Sequence, residues 1–220
     1  MMMQMLLGYG GGGLSFDSNA LFAFSGNNTT TDETGNGNTL VANPSGFSTQ
    51  EAKWPSYTHS FRVDGTGYSR VETPTFDHTG EWSIEFWCYA TQWAGNYLLT
   101  TGTEQQNPSG PAINVQSNEF RTYGGFFNSA QVNYNVNTST FLNQWNFWQI
   151  YRNGSTTRYV LNGSEITNCG ANASAINHMV FGNKQSSDNF PITGYFNDIV
   201  VYQGGSSRGQ QSVPTTPFGL

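Results

Sequence analysis

Trp82-Ser-Ile-Glu-Phe-Trp-Cys-Tyr89 is the stretch on which the fold turns. Ile84, Phe86 and Cys88 alternate with Glu85, Trp87 and Tyr89, the period of an extended strand over residues 81–90. One face is apolar throughout. The other carries two large rings, which predicts that this second face is covered as well rather than left to water.

Strand-like runs recur on both sides of it. They lie within residues 14–25 and at 60–63, 68–72, 97–101, 112–115, 119–123, 131–136, 147–152, 157–161, 178–182 and 195–202. Residues 26–46 are dense in Gly, Asn, Thr and Asp and read as a long loop with at most a short strand at 39–42. Between 147 and 166, Asn153-Gly154 and Asn162-Gly163 separate three runs. Asn-Gly supplies the two positive φ angles of a type I′ turn, so a β-meander is expected. The tail, 203–220, is polar, contains Pro214 and Pro217, and is expected along the surface. No segment reads as a helix, and no long internal repeat is present. Roughly a dozen short strands predict an all-β fold, an antiparallel β-sandwich.

Composition agrees. Of 220 residues only 10% are charged, while 15% are aromatic and 26 are glycine. Helical bundles need Ala, Leu, Glu, Lys and Arg at helical spacing, and these are scarce. A net charge of −6 with eight basic residues argues against an electrostatic nucleic-acid binder. No apolar run approaches the roughly 18 residues of a membrane helix. The two cysteines, Cys88 and Cys169, lack metal-ligand spacing. Cys88, inside a strand pattern, is expected to be a buried thiol, and a bond to Cys169 is left open. Sequons at Asn137, Asn153 and Asn172 are unremarkable in so Asn-rich a chain.

Residues 1–16 form an apolar, glycine-rich arm, and 17–220 the sandwich domain. The start has no basic segment and no small-residue cleavage site, so a secretory signal is not expected. Met1, Met2, Met3, Met5, Leu6, Leu7 and Tyr9 need an apolar place to go. That place is either the arm's own domain or, the preferred expectation, a neighbouring subunit.

Five stretches, in order, resemble the laminin G-like, concanavalin A-like jelly roll, especially the version found in bacteriophage structural proteins. Thr31-Asp-Glu-Thr-Gly-Asn-Gly-Asn-Thr39 is similar to the family's Asp-x-Ser-Gly-Asn-Gly loop. Ser60-Phe-Arg-Val-Asp-Gly-Thr-Gly-Tyr68 resembles its Leu-x-Phe-Asp-Gly-x-x-Asp-Tyr segment, and 82–89 its Phe-Thr-Ile-Glu-Phe-Trp-Val strand. Trp145-Asn-Phe-Trp through Tyr159-Val-Leu-Asn-Gly163 resembles its hairpin unit, and Gly194-Tyr-Phe-Asn-Asp-Ile-Val-Val-Tyr202 its closing strand. These motifs specify core alternation and tight turns, and a fold does not specify a function.

The resemblance implies a structural calcium ion held by Asp32 and Asp198, with Asn36 or loop carbonyls as further donors; Asn197 stands where the family often has a second Asp. The alternative for Asp32 is a turn cap. Glucan hydrolysis, an activity of some jelly rolls, needs two carboxylates about 5–10 Å apart. Glu81 and Glu85 share a strand face at about 13 Å, and Glu85 is expected at the surface or paired with an Arg. His59, His78 and His178 are scattered, and no nucleophile elbow or phosphate loop occurs, so no catalytic site is expected. For carbohydrate, aromatic faces and amides in the loops nominate Trp93, Asn96, Tyr97, Asn118, Tyr123 and Asn128. The expected function is a non-enzymatic virion surface protein, decorating a capsid or forming part of a tail or fibre. It would assemble in the host cytoplasm, bind virion proteins or copies of itself through the arm, and face host glycans. The alternatives are a free lectin-like module and, more weakly, a glucan-cleaving hydrolase.

Overall fold

A computed structural model describes residues 19–42, 46–66, 69–77, 79–93, 95–101, 111–123, 131–170, 176–182, 192–204 and 209–218. The arm residues named above and Asn128 lie outside these. Seventeen strands are found among the described residues. They are β1 (Ala20–Phe24), β2 (Val41–Ala42), β3 (Phe47–Ser48), β4 (Ser60–Asp64), β5 (Val71–Glu72), β6 (Phe76–Asp77), β7 (Trp82–Gln92), β8 (Asn96–Thr101) and β9 (Ala112–Gln116). The rest are β10 (Glu119–Tyr123), β11 (Gln131–Asn135), β12 (Trp145–Asn153), β13 (Thr156–Leu161), β14 (Ser164–Gly170), β15 (Ile176–Asn177), β16 (Met179–Phe181) and β17 (Thr193–Gln203).

All pairings are antiparallel and build two large sheets, the sandwich that the alternation predicts. One runs β14-β13-β12-β7-β17-β4-β3, with β1 also paired to β17; the other runs β11-β10-β9-β8-β16-β5-β2. A two-stranded piece, β6 with β15, stands apart from both. The inward faces meet through aromatic edges. Phe86 and Phe181 lie edge-on at 4.9 Å between ring centres, as do Phe120 and Trp148 at 5.2 Å.

The second face of β7 is covered, as Trp87 and Tyr89 demand. Trp54, from the connection after β3, packs edge-on against Trp87 at 5.6 Å, with Phe147 completing the cluster. The Lys53 ammonium stands 3.9 Å from the centre of the Trp87 ring, so its cation is partly accommodated by the π face. The tail at 209–218 covers the rest: Val213 joins the Trp54 cluster and Phe218 packs on Ala23, Val200 and Tyr202. Gln149 holds this tail, donating to the Gly209 carbonyl at 2.8 Å and accepting from the Gln211 N–H at 2.9 Å.

Several sequence expectations are corrected. Glu85 is buried rather than at the strand surface, and it accepts a hydrogen bond from Gln149 beneath the tail. The β12–β13 turn is Gly154-Ser155, one residue later than expected. Asn153 pairs with Thr156, and only Gly154 has a positive φ (59°). That is the glycine-first pattern of a type II′ turn. Asn162-Gly163 is the type I′ turn foreseen, with φ of 48° and 80°. A short 3-10 helix, Thr138–Phe141, and the short strands β3, β6 and β15 were not anticipated. Both cysteines are free, buried thiols, which closes the question left open above.

Candidate functional site

β7 ends at Gln92 and the chain turns through Trp93 toward β8. Beside that end lie the β9–β10 turn, Ser117-Asn118, and the 3-10 helix that follows β11. Together they enclose a cleft of about 260 Å³. Its floor is Trp93, Thr138 and Leu142. Its rim is exposed and polar, formed by Gln92, Ser117, Asn118, Asn137 and Ser139.

The cleft is held rigid from behind. Asn137 caps the 3-10 helix, its side-chain oxygen accepting from Ser139 N–H and Oγ at 3.2 and 2.8 Å. Thr138 is buried and donates its hydroxyl to the Gln116 carbonyl at 2.6 Å, while its own carbonyl accepts from the Trp93 indole N–H at 3.3 Å. The Asn118 carbonyl accepts from Val136 N–H at 2.9 Å. Neither Ser117 nor Asn118 has a positive φ, so the turn does not depend on glycine-like geometry. The Gln92 and Asn118 amides make no hydrogen bond to the described residues and are left to face solvent.

The carbohydrate residues nominated from sequence therefore separate. Trp93 and Asn118 line the cleft together. Trp93 is only 1% exposed and packs edge-on against Phe120, so it is a floor and not the open stacking face expected. Tyr97 and Tyr123 are buried on the seven-stranded sheet, away from the rim. Burial pushes the Tyr97 hydroxyl up to about 12. Asn96 is half-buried at the start of β8, its carbonyl accepting from Asn114. Gln92, Ser139 and Leu142 were not foreseen. Asn137 was read only as a sequon, although Asn-Thr-Ser is also a cap signature.

The calcium set does not fit. Asp32 Oδ1 accepts from Ala23 N–H and Thr34 N–H, each at 3.0 Å, and from Thr34 Oγ1 at 2.7 Å; Oδ2 accepts from Asn38 at 2.9 Å. Burial pushes Asp32 up, but these donors outweigh it and hold the carboxyl below its usual value. Asn36 turns its NH₂ toward the Ala20 and Leu21 carbonyls at 3.2 and 3.0 Å, so its donor end faces them. The Asp-Asn loop thus sews itself to the free edge of β1, a turn-capping role. Asp198 is fully buried and accepts from Trp54 Nε1 and, at 2.8 Å, from Tyr57 Oη. Both oxygens of each carboxylate are engaged by protein donors, which calcium, with its six to eight oxygen ligands, would have to displace or share. Among the described residues no cluster of three or more His, Cys, Asp or Glu could hold a metal.

Asn197 is an amide for a reason. It donates to the Ser25 and His59 carbonyls at 2.8 and 3.2 Å and accepts from Lys53 N–H at 3.0 Å. An aspartate there could not donate.

No family model and no curated protein sequence matches the chain. Solved structures do match. Domain 4 of AbnA, a GH43 extracellular arabinanase from Geobacillus stearothermophilus solved in complex with arabinotriose, has a TM-score of 0.59 at 15% identity over 84% of this chain and 93% of that one. The binding domain of botulinum neurotoxin DC in complex with rat synaptotagmin II has a TM-score of 0.61 at 16% identity. The same toxin's binding domain in complex with SialylT gives 0.57 at 18%. In both toxin comparisons 84% of this chain aligns, to 48% of the toxin chain, so the protein spans about half of those structures. These likenesses establish the β-sandwich jelly roll.

Proposed function

We propose that the protein is a non-enzymatic glycan-binding module whose site is the cleft between Gln92, Asn118 and Asn137. The observation that carries this is the pairing of an apolar floor with a rim of amides and hydroxyls, in which Asn137 is fixed by capping the 3-10 helix while the Gln92 and Asn118 amides face outward with no hydrogen bond to the described residues. The Asn137–Ser139 side of that rim is ordered before ligand arrives, which spares part of the entropy lost on binding. Saccharides present both C–H surfaces and hydroxyls that donate and accept, and a floor of Trp93 and Leu142 under amides answers both. Domains of the same fold in complex with arabinotriose and with SialylT support the reading.

The test is a glycan array probed with the purified protein and with a Gln92→Ala/Asn118→Ala variant. Each lost hydrogen bond of about 1 kcal/mol weakens binding about fivefold. The variant should therefore bind its glycan at least tenfold more weakly at an unchanged melting temperature. An array blank for the wild type, with and without calcium, refutes the module.

The finer reading, display on a virion through residues 1–16, rests on the Met and Leu of that arm and draws no support from the structural likenesses. Deleting 1–16 should abolish incorporation into particles while the sandwich still melts cooperatively. Assembly by the truncated protein refutes the anchor.

A further inference from the structure

Resting on that glycan-binding reading, we infer that the cleft takes one uncharged sugar ring, so that the protein recognises the terminal residue of a neutral glycan and rejects carboxylated or sulfated ends.

Size comes first. At about 260 Å³ the cleft is smaller than the roughly 300–1,000 Å³ of pockets that enclose drug-sized ligands, which leaves room for a single ring. Trp93 and Thr138 close it at the back, both fully packed into the protein.

Chemistry decides the charge. Every described side chain that lines the cleft is uncharged. The amides of Gln92 and Asn118 and the NH₂ of Asn137 suit hydroxyls, which donate and accept in turn. The basic residue on the same hairpin as Asn118 is Arg121, and it is held by Glu119 at 2.5 Å. A carboxylate or sulfate in the cleft would lose hydration with no counter-charge to replace it. The net charge of −6 adds long-range repulsion against any anionic ligand at low salt.

The experiment uses the full chain and matched pairs of oligosaccharides, each neutral glycan beside the same glycan ending in sialic acid, titrated at low and high salt. The neutral member should bind with an affinity insensitive to salt, and the sialylated member about tenfold or more weakly. Asn118→Trp, on an exposed turn, should plug the cleft and remove binding without lowering the melting temperature. Preference for the sialylated member, or affinity that falls steeply with salt, overturns the neutral-sugar inference while the module stands. Equal binding to a neutral glycan blocked at its terminal residue overturns end recognition. Binding indifferent to Asn118→Trp removes the cleft as the site, and no binding to any glycan overturns both readings.

Discussion

The indole N–H of Trp54 is donated to the buried carboxylate of Asp198, a residue 144 positions further along the chain. Tyr57 donates to the second oxygen, so one carboxylate fastens the 49–59 connection onto the outer face of the eight-stranded sheet. Asp198 can accept both because it sits at a positive φ of 53°, where the ladder between β17 and β7 breaks between Asn197 and Val200.

Burial, reinforced by Glu33, raises the Asp198 pKa from 3.8 to about 7, against the pull of its two donors and of Lys53. A carboxyl whose pKa is higher in the folded state binds more protons there. Its stabilisation is complete below about pH 4 and is lost as pH rises through 7. Asp32 and Asp64 are held below 3.8 and act in the opposite sense, their share being lost only in stronger acid. Stability should therefore peak in mildly acidic solution, with the melting temperature declining from about pH 5 to pH 7.5. Asp198→Asn should flatten that decline, whatever it does to the absolute value. A slope that survives in the variant refutes the assignment.

Asn197→Asp should be among the more damaging isosteric changes. It removes the donations to Ser25 and His59 and places a carboxylate at a site with no solvent exposure. Losing a buried hydrogen-bond partner costs about 1–3 kcal/mol, and more where the group left behind is charged. Urea unfolding should show a loss of at least about 2 kcal/mol, and a loss below half of that contradicts the geometry.

Gly194→Ala tests a close approach of β17 to β7. A Cβ there would lie 2.4 Å from the Tyr89 carbonyl oxygen and 2.9 Å from the Ala90 Cα, both backbone atoms of central β7. Neither can turn aside as a flexible side chain would. Overpacking of this kind costs about 1–3 kcal/mol, measurable as a lower midpoint in urea with unchanged slope.

Calcium should leave the melting curve where it is. The carboxylates that the family resemblance nominates are already engaged by Thr34, Asn38, Trp54 and Tyr57. Equal melting temperatures in excess calcium and in chelator are expected; a clear rise with calcium would mean that these hydrogen bonds yield to the ion.

The sandwich was legible because period-2 alternation and Asn-Gly turns are local signals. Ile84, Phe86 and Cys88 declare a buried face, and Asn162-Gly163 a turn, without reference to anything distant. What the outer face rests on was not legible. Trp54 and Val213 carry no pattern of their own, and only the fold brings them to Trp87. The cleft was half legible: Trp93 and Asn118 were picked as loop residues, but their meeting depends on a helix of four residues, too short to show a period. The calcium reading and the loop-fastening role draw on the same residues, Asp32 and Asn36, and a sequence does not distinguish the two uses.

The last strand of the described residues, β17, occupies the middle of its sheet. β17 pairs with β7 along one side and divides the other between β4 and β1, with Ala20 opposite Tyr202. Until it is made, β14-β13-β12-β7 is one fragment, and β4-β3 and β1 have no ladder to it. The sheet therefore closes only once β17 is present, and its contacts are long-range, which places refolding in the slow, millisecond-to-second range of β-proteins. During that interval the unpaired edge of β7 is open to another copy. How fast β17 docks therefore sets how long that edge stays exposed.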